Sequence, residues 1–119
     1  MNLKELLQTL ETTPESVEFA DVIAVIDENY HYTPTTFYNG DTSDTVTNQA
    51  GSNEGSCKIF SFAGLHNLSG QSTLHCFGDF YRKDVLTHPD GKDHANIRNF
   101  MKYGWKGIRF DSAALVRRN

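Results

Sequence analysis

Ser56, Cys57 and Lys58 stand in a row where a polar, glycine-broken stretch turns apolar, so a hydroxyl, a thiol and an ammonium meet at the start of a predicted helix. The free amides and the dipole of a helix start favour an anion and lower a thiol pKa, and Lys58 adds to both effects. Cys57 is therefore a candidate nucleophile, with a base to come from elsewhere in the chain: His66, His75 or His94. The competing account makes Cys57 a small apolar residue of the core, where free cysteines are commonly found.

Gly51 to Lys58 also invites comparison with a phosphate-binding loop. Three residues instead of four separate Gly51 from Gly55, Ser56-Cys57 intervenes before the lysine, and Glu54 would repel a phosphate. What survives is general anion binding by Ser56 and Lys58 at a helix start. No GxSxG elbow occurs, so a serine hydrolase has no support.

Two further clusters carry chemistry. His88, Asp90, Asp93 and His94 offer two imidazoles and two carboxylates, enough to hold Zn²⁺ or Mn²⁺ with positions left for water in a metal-assisted hydrolysis. Against this, Asp93 has a role as a helix N-cap, Pro89-Asp90-Gly91 is ordinary turn chemistry, and both histidines can face solvent. Nothing in the sequence requires a cofactor; a divalent metal is the one candidate. Asp79, Arg82, Arg98 and Asn99 lie among aromatics on two predicted helices. They read either as an Asp–Arg tie between those helices or as an arginine clamp, Arg82 with Arg98, for a small carboxylate or phosphate.

The elements that must position these groups are readable in part. Asn2 and Glu5 form a capping box ahead of Leu3, Leu6, Leu7 and Leu10, the stripe of a short amphipathic helix. Thr13-Pro14-Glu15 carries the start signals of a second helix, whose buried face is Phe19, Val22, Ile23, Ile26 and Tyr30. Tyr32 to Tyr38 reads as a strand ending in an Asn39-Gly40 turn, with Thr45-Val46-Thr47 as a short return strand or else part of a long polar loop. A central helix capped by Ser56 runs through Ile59, Phe60, Phe62, Ala63 and Leu65, apolar nearly all round and therefore buried.

Ser69 caps a fourth helix through Leu74, Phe77, Tyr81 and Val85, in which Gly78 lets another element approach closely. A helix from Asp93 stops at Gly104, Trp105–Phe110 alternates as a strand, and residues 111–119 form a frayed tail with at most a helical turn at Ala113–Leu115. The expectation is α+β: about five helices around a small sheet of two or three strands, in one domain spanning residues 1–119.

Net charge is −4, but residues 1–56 carry ten acidic groups against Lys4 alone, while residues 57–119 carry ten basic groups against five acidic. The halves either attract each other on folding or leave a bipolar surface that steers partners. Ten dispersed basic residues are not a nucleic-acid stripe, and no apolar run approaches a membrane span of roughly 20 residues. Two cysteines, Cys57 and Cys76, make no disulfide framework and suit a reducing compartment. The N-terminus has no apolar signal core.

Several runs carry a family resemblance: Tyr32-Thr33-Pro34-Thr35, Asn53 to Phe60, Cys76 to Arg82, Asp84-Val85-Leu86 and His94 to Met101. Over roughly residues 17–110 the chain resembles the HopJ family, named for a type III secretion effector of plant-pathogenic bacteria. The resemblance implies a small α+β domain and a protein that stays in the cytoplasm or leaves through a type III system. It brings no established activity. The leading expectation is a non-catalytic binding or interaction module with a protein partner. The alternatives are a small enzyme using Cys57 or the His88–His94 cluster, and a receptor for a small anion.

Overall fold

The computed structural model describes residues 1–118 of the 119. Helix α1, Leu3–Thr12, begins with the predicted capping box: the Glu5 amide donates to Asn2 Oδ1 at 2.8 Å, and the Asn2 amide donates to Glu5 Oε1 at 3.0 Å. Leu6 and Leu10 bury its inner face. The start signals at Thr13-Pro14-Glu15 produce only a 3-10 turn, Pro14–Ser16, and helix α2 begins at Phe19 and runs to Asn29. Between them Val17 is drawn into the core, 1% exposed, which breaks the helical path.

The predicted Tyr32–Tyr38 strand is two strands. β1, Tyr30–Tyr32, and β2, Phe37–Asp41, are separated by the Pro34 segment, because proline offers no amide to a ladder. β2 pairs antiparallel with β3, Asp44–Asn48, and on its other side with β4, Ile108–Phe110, giving the order β3-β2-β4. Asn39 and Gly40 lie inside β2, and the hairpin turns instead at Thr42-Ser43, between Asp41 and its partner Asp44. Gly40 is required there: its φ is +136°, and a Cβ would fall on the Asp44 carbonyl.

The tail is not frayed over its described part. β5, Leu115–Arg117, pairs antiparallel with β1, Tyr32 opposite Leu115, and buries Ala114 and Leu115. No helical turn forms at Ala113–Leu115, since that backbone is spent on the pairing with β1; Asn119 lies outside the described residues.

Helix α3, Glu54–Leu65, is the buried helix expected, with Cys57, Ile59, Phe60, Phe62 and Ala63 inside. It starts two residues before Ser56, entered through Asn53 in the left-handed conformation, φ 51°. Phe60 is the hub of the core, its ring within 5.0–6.4 Å of the rings of Phe37, Phe77, Phe100 and Trp105. Helix α4 covers only Gly70–His75, with Ser69 Oγ accepting from the Ser72 amide. The predicted continuation to Val85 breaks at Gly78, φ +59°, where a Cβ would lie 2.8 Å from the Phe19 amide nitrogen. That close approach is the one its size foretold, and Phe80–Val85 then follow as a π-helical segment. Helix α5, Ala95–Tyr103, ends at Gly104, φ +64°, as predicted. A 3-10 turn, Gly104–Gly107, takes the place of the first half of the predicted strand.

Candidate functional site

Helices α3 and α5 begin side by side. Each is entered through a left-handed residue, Asn53 and His94, with the same φ of 51° and ψ of 50°. Neither helix has a side-chain cap. The first amides to close a helical turn are those of Cys57, onto the Asn53 carbonyl at 3.0 Å, and Arg98, onto the His94 carbonyl at 3.1 Å. The three amides ahead of each therefore have no partner in their own helix.

Between the two starts lies a cavity of about 360 Å³, lined on one side by Gly55 and Ser56 and on the other by Ala95, Asn96 and Ile97. Phe19, Phe77, Phe80 and Val46 supply its apolar wall, and Asn53 and His94 its edges. Phe80, 42% exposed, stands edge-on to Phe19 at 5.0 Å and tilted against the His94 ring at 5.3 Å. His94 Nε2 is 3.0 Å from Asp84 Oδ2, which fixes the imidazole at the rim.

A buried amide network holds the two starts in place. Asn96 Nδ2 donates to Asn48 Oδ1 at 2.8 Å, Asn48 Nδ2 donates to Asn96 Oδ1 at 3.1 Å, and Asn53 Nδ2 donates to Asn48 Oδ1 at 2.7 Å. Asn39 Nδ2 donates to the Asn96 carbonyl at 2.8 Å, and Asn99 Nδ2 donates to the carbonyls of Asn39 and Asp44. Asn39, Asn48, Asn96 and Asn99 are all buried, so each bond is worth more than at the surface and each loss costs more.

Of the residues the sequence singled out, the structure brings Ser56 and His94 to this cavity. Cys57 points elsewhere: it is the fourth residue of α3, 1% exposed, with Sγ 3.9 Å from the Thr35 carbonyl. Burial raises its thiol pKa, against the lowering expected of a helix start, and burial pushes Cys76 up to about 12. Lys58 pairs with Asp27 of α2 at 2.9 Å.

Neither arginine forms the expected clamp. Arg82 donates to the carbonyls of Pro14, Val17 and His75, and Asp79 pairs with Lys83 instead. Arg98 donates to the carbonyls of His88 and Asp93 and to Asp93 Oδ1 at 2.6 Å, so it organises the loop before α5.

The His88, Asp90, Asp93 and His94 cluster does not assemble as a metal site. Among the described residues no three His, Cys, Asp or Glu side chains converge to hold an ion. His88 turns back to its own segment through Thr87 Oγ1 and the Asp84 carbonyl. Asp93 is taken by Arg98, which holds its carboxyl below the usual range, so it is no N-cap; His94 occupies that position.

The asparagines and phenylalanines of the cavity were missed. Asn53 and His94, each directly ahead of a helix, carried the readable signal: residues that tolerate the left-handed region and deliver a helix start with its amides bare.

A small α+β domain with a cavity set between two helix starts defines the class. The profile of the family described as HopJ type III effector protein matches residues 3–115, nearly the whole chain, and the chain belongs to that family. It is similar to a solved structure described as the "Crystal structure of unknown function protein VPA0580", at 49% identity and a TM-score of 0.94, covering 99% of this chain and 95% of that one. No curated protein matches. Among the described residues, no helix is long and apolar enough to cross a membrane.

Proposed function

We propose that the protein is a non-catalytic binding module, and that it receives a small organic anion in the cavity between the starts of α3 and α5. The observation that carries this reading is the pairing, around one space of about 360 Å³, of an aromatic wall with the bare amides of two helices. Phe19, Phe77 and Phe80 offer cover to a ring or short chain. The amides of Gly55, Ser56, Ala95, Asn96 and Ile97 suit a carboxylate or phosphate on the same molecule, and Glu54, whose charge opposes a phosphate, is exposed and outside the cavity lining. Binding is favoured over turnover because the candidate nucleophile Cys57 is committed to the core and Asp93 to Arg98, which leaves His94 at the rim without either. Family membership supports, beyond this, passage through a type III system in bacteria that have one, with a protein partner beyond it.

Calorimetric titration with phenyl phosphate tests the reading. Saturable binding of one equivalent is expected, lost in Ser56→Asp, whose carboxylate would stand in the anion's place. That variant keeps or raises the melting temperature, since an acidic residue suits the first turn of a helix. A flat titration with both phenyl phosphate and benzoate overturns the ligand class, and a turnover abolished by one substitution overturns the binding module.

A further inference from the structure

Arg82 holds the N-terminal segment to the rest of the molecule through a histidine. From the π-helical segment its guanidinium reaches the carbonyls of Pro14 and Val17 on one side and, on the other, the carbonyl and Nδ1 of His75, the last at 3.1 Å. An arginine only donates, so His75 Nδ1 is the acceptor and the ring is neutral at that nitrogen. Pro14–Val17 is the stretch through which α1 joins the body, and the Leu10 carbonyl takes a further bond from Ser72 Oγ at 3.4 Å.

We propose that His75 and Arg82 form an acid-sensitive clasp on this segment. A proton on Nδ1 converts the acceptor of Arg82's hydrogen bond into a second donor facing it, so the guanidinium is driven off Nδ1 and its bonds to the Pro14 and Val17 carbonyls, made from the same planar group, are weakened. Helix α1, still held by Leu6 and Leu10 in the core, then loses this polar tie and opens more readily, whereas the sheet and α3 make no hydrogen bond to Arg82.

The charges around the pair set the balance. Burial and the Arg82 charge both hold the His75 pKa below its ordinary 6.5, and Glu15 of the 3-10 turn opposes them. Glu18 ahead of α2 and Asp79 ahead of the π-helical segment share the shallow cavity beside Arg82. The side chains against the His75 ring itself are neutral, the Gln71 amide 3.2 Å from Nε2 and the Tyr81 ring edge-on at 5.5 Å, and Lys83, the next charge along the π-helical segment, pairs with Asp79.

Amide hydrogen exchange of the full chain at pH 7.5 and pH 5.0, corrected for intrinsic rates, reads the clasp directly. On acidification the protection of α1 should fall more than that of β2, because the proton His75 takes up loosens only the contacts of Arg82. His75→Gln, whose carbonyl can accept from Arg82 at any pH, should remove that difference. Equal loss in α1 and β2, or a pH dependence retained in His75→Gln, overturns the proposal. Should the variant not fold, titration of His75 by NMR in the wild type decides: α1 amide shifts that follow the His75 curve support the clasp, and α1 shifts that ignore it refute it.

Discussion

The side chains of Asn48 and Asn96 exchange two hydrogen bonds, at 2.8 and 3.1 Å, and so lock strand β3 to the first turn of α5. This contact joins the hairpin to one side of the cavity, and Asn53, bonded to the same Asn48 oxygen, joins it to the other. The geometry of the site therefore depends on a buried polar group as much as on apolar packing.

Asn96→Ala removes the two side-chain bonds exchanged with Asn48 and the Asn96 Oδ1 acceptor of Asn39 Nδ2, while the Asn53 donor to Asn48 Oδ1 and the residue 96 carbonyl remain, so a buried amide group is left short of partners. The expected cost is about 1–3 kcal/mol for such a group. Urea unfolding checks it: a midpoint unchanged from wild type would show that the network contributes nothing.

Two glycines should respond to alanine in opposite directions. Gly78→Ala places a Cβ 2.8 Å from the Phe19 amide nitrogen at φ +59° and should destabilise by about 1–2 kcal/mol from backbone strain alone, with the clash in addition. Gly64→Ala, inside α3 and with the Trp105 ring at an ordinary 3.9 Å, should stabilise by about 0.5–1 kcal/mol. Melting curves of the two variants give the comparison.

Stability should fall as pH drops below 6.5. Burial lowers the pKa of His66 and of His75, with the Arg117 and Arg82 charges adding to it respectively. Between each folded value and the ordinary 6.5 the unfolded chain binds more protons, so this stability is complete above 6.5 and declines below it. Asp44 and Asp93 are lowered by hydrogen bonds from Tyr103 and Arg98, and their contribution persists until the pH falls below about 3.8. Urea midpoints at pH 8, 7, 6 and 5 should be level over the first two and drop over the last two; a flat series would contradict this.

Both thiols should resist alkylation in the native state. Cys57 and Cys76 are 1% and 0% exposed, and burial raises both pKa values. Iodoacetamide at pH 7.5 should label them only as the protein unfolds, whereas rapid native labelling of Cys57 would restore it as a nucleophile.

Where a signal is local, the sequence is a good guide. Asn2 and Glu5 need only each other to cap α1, and Gly104 needs only its own backbone to end α5. Where an element depends on a distant partner, the local signal misleads. Asn39-Gly40 has turn chemistry, yet Asn39 is pulled inside by Asn96 and Asn99, 57 and 60 residues away. β5 is three residues with no pattern of its own and exists because β1 lies open to it. The site is split in the same way: Ser56 and His94 each stood out for a different chemistry, and only the packing of α3 beside α5 gives them one cavity.

The most direct test of the binding account is amide shift mapping of the ¹⁵N-labelled protein with phenyl phosphate. The account predicts that the largest changes cluster on the amides of Gly55, Ser56, Ala95, Asn96 and Ile97, the helix-start residues that line the cavity from both sides. Changes confined to Lys92, Lys102 and other surface cations, with those five amides unmoved, would contradict it.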